Sequence, residues 1–123
     1  VAIFVKKGAF QMTQISSDKN QEARFRIDKF AVPADALEAF VAQMKHLQHT
    51  LRSLPGCENA CVLTQVNGPG RFNVLTWVEW KDSASVANAT AVMQKKFADE
   101  GFDPKAFTER LRVDGDLGVY AAA

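Results

Sequence analysis

The stretch Phe72-Asn73-Val74-Leu75-Thr76-Trp77-Val78-Glu79-Trp80 limits most strongly what this chain can fold into. Its β-branched and aromatic residues are entered through Asn67-Gly68-Pro69-Gly70 and closed by Lys81-Asp82-Ser83, which predicts a strand. Side chains alternate along a strand, so Phe72, Val74, Thr76, Val78 and Trp80 share one face and Asn73, Leu75, Trp77 and Glu79 the other. Both faces are largely apolar. Such a strand must lie inside its sheet with cover on both sides, from two helix layers or from one helix layer and a partner subunit.

Length and charge narrow the setting. A chain of 123 residues, 47% hydrophobic and 24% charged, is expected to form one globular domain. Its net charge of +1 supplies no bulk field to gather nucleic acid or an anionic membrane, so neither is expected as a partner. The apolar runs fall short of the ~18–20 residues needed to cross a bilayer. Val1-Ala2-Ile3-Phe4-Val5 is too short for a signal-peptide core, and Lys6 and Lys7 follow it rather than precede it, so a cytoplasmic location is expected. Cys57 and Cys61 are four apart in a predicted strand, about 13 Å at ~3.3 Å per residue, which is too far for a disulfide between them.

The rest of the chain reads as cover for the central strand. Residues 1–22 are expected to be a flexible or edge-strand segment, and 23–123 the domain itself. Alternation predicts a first strand over Ala23–Val32, with Phe25, Ile27 and Lys29 on one face and Arg24, Arg26, Asp28 and Phe30 on the other. After Pro33, the spacing of Leu37, Phe40, Val41, Met44, Leu47 and Leu51 predicts a helix that Pro55-Gly56 ends. Cys57–Val66 follows as a second strand, paired with the central one through the Gly-rich turn as an antiparallel hairpin. A second helix is expected from a cap at Asp82 or Ser83 to a stop at Gly101. A short helical segment over residues 103–111 and a Gly-weakened strand over 112–120 complete the chain. The order β-α-β-β-α-(α)-β predicts an α+β, ferredoxin-like split βαβ fold with a four-stranded antiparallel sheet and its helices on one face. The second face is then left open, and packing two such sheets together in a homodimer covers it.

The Val32-Pro33 junction, Leu54-Pro55-Gly56-Cys57 and Trp77-Val78-Glu79-Trp80-Lys81-Asp82, in this order of elements, resemble the antibiotic biosynthesis monooxygenase domain over about residues 23–120. The resemblance implies a dimeric α/β barrel. It also implies a class of activities that includes cofactor-free oxygenation of polycyclic aromatic or quinol compounds, with no cofactor and no metal. In the anthrone oxygenases of that family an Asn and a Trp four residues apart on the third strand line a pocket between sheet and helices, and Asn73 and Trp77 match that spacing. Asn73 is thereby expected to hydrogen-bond a substrate oxygen and Trp77 to wall a flat ring, as the catalytic pair. Leu75, Met44, Met93, Phe97 and Arg26 are expected around the substrate, a small aromatic or quinone-like molecule. A non-catalytic binding or stress-associated dimer with the same pocket is the competing expectation.

Two features of the family pattern are missing. Ser83 stands near the place of its Tyr, and Lys95, Lys96 and Phe97 near that of its Arg, so no acid-base partner is identified this way. The haem-degrading relatives use a His on the second helix. Residues 84–100 contain none, and His46 and His49 lie on the first helix, turned from its apolar stripe. No Gly-rich phosphate loop, nucleophile elbow or metal-ligand spacing is present.

Overall fold

A computed structural model describes residues 22–123. The expectation for the segment 1–22 falls, all but its last residue, outside them. Strand β1 (Arg24–Ala31) leads through Pro33 and a single 3₁₀ turn, Ala34–Ala36, into helix α1 (Leu37–Arg52). Next come the strands β2 (Cys57–Thr64) and β3 (Val74–Trp80), helices α2 (Ser83–Glu100) and α3 (Pro104–Arg110), and β4 (Asp114–Tyr120). The sheet order is β2-β3-β1-β4 and every neighbouring pair is antiparallel. This is the ferredoxin-like α+β arrangement, with β1 and β3 central and the helices against one face.

Local chemistry sets the element ends. Gly56 takes φ +83°, and a Cβ there would lie 2.0 Å from Ser85 Oγ, so the close approach of the β2 entry to the start of α2 requires glycine. At that start Asp82 accepts hydrogen bonds from Ser85 Oγ (2.7 Å) and Ser85 N (2.8 Å). The Ser85 hydroxyl, then its backbone N–H, hold the Asp82 carboxyl below the usual carboxylate range. Gly101, at φ 68°, closes α2 in the left-handed conformation expected of it. All four predicted strands come out shorter by a residue or two at one or both ends. Val66 is almost fully exposed, beyond the end of β2, and β3 begins at Val74, just after Asn73, whose side chain is hydrogen-bonded to the backbone of Val32.

On the helix side, Phe30, Phe40, Val74, Phe107 and Val113 form one buried cluster, and Ala60, Val78, Trp80 and Ala89 a second. Helix α1 lies against β2, where Arg52 donates to the Ala60 carbonyl at 2.7 and 3.2 Å and Gln48 to that of Cys61 at 3.3 Å. Both cysteines are free thiols, and burial pushes that of Cys57 up. The opposite face of the sheet is largely apolar and, among the described residues, carries no helix. Strand register places Trp77 between Ile27 and Cys61, Leu75 beside Leu63, and Phe25 beside Tyr120. The Phe25 and Trp77 rings stack there, 6.3 Å apart at 16°, while Leu63 and Tyr120 remain about half exposed.

Candidate active site between sheet and helices

Alternation along the two central strands builds the floor of the site. Arg26, Asp28 and Phe30 of β1 and Thr76, Val78 and Trp80 of β3 point to the helix side and line a cavity of about 590 Å³. Met44 of α1 and Met93 and Phe97 of α2 enclose it from above, where unbranched and aromatic side chains fill space loosely. Thr90, Gln94 and Lys105 line it and are exposed, so the cavity opens to solvent along α2 and α3. Its size and mostly apolar wall suit a small organic molecule.

Few polar groups reach this space. Arg26 Nε donates to Asp28 Oδ1 at 2.6 Å, with the Asp28 side chain 15% exposed and that of Arg26 39%. Register sets Asp28 directly opposite Thr76, which is itself buried. Gln48 is 3% exposed; its Nε2 is committed to the Cys61 carbonyl, and its Oε1 has no partner among the described residues. Among the described residues no three His, Cys, Asp or Glu side chains converge as metal ligands. His46 and His49 are exposed on α1, away from the cavity.

The structure brings together only part of the set expected from sequence. Met44, Met93, Phe97 and Arg26 line the cavity. Asn73, Leu75 and Trp77 do not. They occupy the other face of the sheet, because a side chain one position out of phase on a strand must point the opposite way. Asn73 is already paired, its Oδ1 accepting from Val32 N at 2.8 Å and its Nδ2 donating to Val32 O at 2.9 Å. The expected placement of Asn73 and Trp77 in the pocket is corrected accordingly. On the cavity face, the same four-residue spacing is met by Thr76 and Trp80. One signal for that pair was present in the sequence: Glu79 puts a charge on the face of Leu75 and Trp77, whereas the face of Val74, Thr76, Val78 and Trp80 has none.

Residues 24–92, more than half of the chain, match the antibiotic biosynthesis monooxygenase family. The chain belongs to that family. No curated protein matches its sequence. Among solved structures, it resembles a Shewanella loihica protein proposed to be a monooxygenase, at 17% identity and a TM-score of 0.64, over 83% of this chain and 95% of that one. It is similar to a Deinococcus radiodurans protein proposed as an antibiotic biosynthesis monooxygenase, at 17% identity and TM-score 0.63, covering 81% and 92%. The cofactor-independent oxygenase SnoaB of Streptomyces nogalater, solved as an asparagine-to-alanine variant, shares 15% identity with TM-score 0.57 over 82% and 93%. At these identities the likeness establishes the fold. Among the described residues no helix is long and apolar enough to cross a membrane.

Proposed function

We propose that this member of the antibiotic biosynthesis monooxygenase family oxygenates a small, flat aromatic or quinol-like compound without a cofactor. The observation that carries this reading is the apolar cavity under α1 and α2, with one ion pair and one Thr on its floor and Trp80 as a flat wall. An electron-rich ring held there loses a proton, and the resulting anion itself reduces dioxygen. A ring methylene becomes a carbonyl, and its two hydrogens leave with the second oxygen atom as water. The exclusion of bulk water by the apolar wall strengthens the electrostatic hold of Arg26 on the developing anion. Similarity to a cofactor-independent oxygenase supports the absence of a cofactor. Two free cysteines suit the reducing cytoplasm, where we place the protein.

Oxygen uptake by chelator-treated protein against a panel of anthrones, hydroquinones and polycyclic phenols checks the reading. Wild type is expected to consume oxygen with at least one of them. Thr76→Val, which removes a hydroxyl at constant volume, is expected to lower kcat/KM by about tenfold, the loss of one hydrogen bond near 1.4 kcal/mol. Ligand-induced thermal stabilisation with no uptake across the panel would instead identify a binding protein.

The face that carries no helix among the described residues takes a second copy of the chain in this reading. Phe25, Ile27, Leu75 and Trp77 then form the interface of two packed sheets, and Trp77 serves assembly rather than chemistry. Light scattering at micromolar concentration is expected to give twice the chain mass. Trp77→Glu, which puts a charge at the centre of that face, is expected to give the mass of a single chain; a wild-type monomer contradicts the shared barrel.

A further inference from the structure

We propose that Asp28 is the proton acceptor of the cavity, and that its substrate presents an acidic O–H, or a ring C–H beside a carbonyl, to the centre of the sheet. The inference deepens the oxygenation reading and rests on it for the fate of the anion, but the proton step stands by itself. Side chains that accept a proton in such a step are carboxylates, neutral imidazoles, neutral amines, thiolates and phenolates. Among the described residues that line the cavity, Asp28 is the only carboxylate and no His, Cys or Tyr joins it, while the amine of Lys105 lies exposed on α3.

Its setting fits that task. Asp28 sits on a central strand, flanked by Thr76 on β3 and Leu117 on β4, so it cannot swing away from the cavity floor. Oδ1 is taken by Arg26 Nε at 2.6 Å, which fixes the plane of the carboxylate and leaves Oδ2 without a hydrogen bond among the described residues. The pair gives little to folding, since desolvation of two charges beside an apolar cavity offsets their attraction. The charged residues lining the cavity around Asp28 are Arg26 on its own strand and Lys105 of α3. The lining residues of β3, β4, α1 and α2 carry no charge.

The step balances without an oxidant. Oδ2 of Asp28 takes the proton, the electron pair of the broken O–H or C–H bond stays on the substrate, and the guanidinium of Arg26 faces both the new acid and the new anion. Electron transfer to dioxygen is a later event. A flat ketone with an acidic methylene is therefore the natural probe, since loss and regain of its proton can be followed with no oxygen present.

Exchange of the methylene hydrogens of anthrone for deuterium, in deuterated buffer under argon, tests the assignment by mass spectrometry. Wild type is expected to accelerate exchange over buffer. Asp28→Asn, which keeps size and the contact to Arg26, is expected to slow it by about 10²–10⁴-fold while binding anthrone as well as wild type. Asp28→Glu is expected to restore part of the rate. A thermal melt of each variant confirms that it is folded, and Thr76→Val reports whether any polar loss on the floor has the same effect. Anaerobic exchange without oxygen uptake in air would sustain the proton role of Asp28 and remove the oxygenation reading. Uptake that Asp28→Asn leaves unchanged would remove Asp28 and keep oxygenation. A wild type that gives no exchange overturns the proposal.

Discussion

Asn73→Ala is expected to lower folding free energy by about 2–4 kcal/mol, because two backbone groups lose their partners at once. The side-chain amide holds Val32 N at 2.8 Å and Val32 O at 2.9 Å, and Val32 is only 6% exposed. Alanine reaches neither group, and burial limits how far water can replace the amide. Chemical denaturation should show a lower midpoint with an unchanged slope, the signature of lost stability without a change in the surface exposed on unfolding. The same variant, assayed below its transition, should keep the oxygen uptake of wild type, since Asn73 lies off the cavity. Lost turnover at an unchanged midpoint would return Asn73 to the chemistry and refute the scaffold role argued from these contacts.

A second large effect is expected at Phe40, where truncation to Ala should cost about 3–5 kcal/mol. Phe40 is fully buried; its ring meets Phe30 edge-on at 4.9 Å and stacks on Phe107 at 6.1 Å and 18°. Three elements, α1, β1 and α3, therefore meet on one side chain. The space it vacates would open into the existing cavity rather than collapse, because Phe40 lines that cavity. Domains of this size typically have ~5–15 kcal/mol of stability, so the loss takes a large part of it. Denaturant titration and near-ultraviolet dichroism check this, and a cost below about 1 kcal/mol would contradict the central position of Phe40 in the core.

Sequence reasoning succeeded where the physics is local. The stripe from Leu37 to Leu51 needed only helical spacing, and the stop at Gly101 needed only a residue tolerant of positive φ. Antiparallel pairing of the second and third strands followed from the Gly-rich turn between them. The site was harder to read. Met44, Met93, Phe97 and Arg26 line the cavity, each on the side of its helix or strand that faces it. Asn73 and Trp77 were expected on the cavity because their types and spacing match the Asn and Trp of the anthrone oxygenases, but Thr76 and Trp80 have the same spacing on the other face. Gln48 escaped notice because a single polar residue beside an apolar helical stripe looks like a solvated one; its burial depends on the edge of β2 that α1 happens to meet.

The sequence by itself determined the elements, their order, and the division of each strand into two sets of side chains, since these depend on backbone preferences and on a period of two. Only the tertiary structure decided which set faces the helices. Glu79 marks one set on β3, but both sets are apolar enough to be buried, so the choice lay in how α1 and α2 cross back over the sheet, a property of the whole chain. That one choice sends Asp28, Thr76 and Trp80 into the cavity and leaves Asn73, Leu75 and Trp77 outside it.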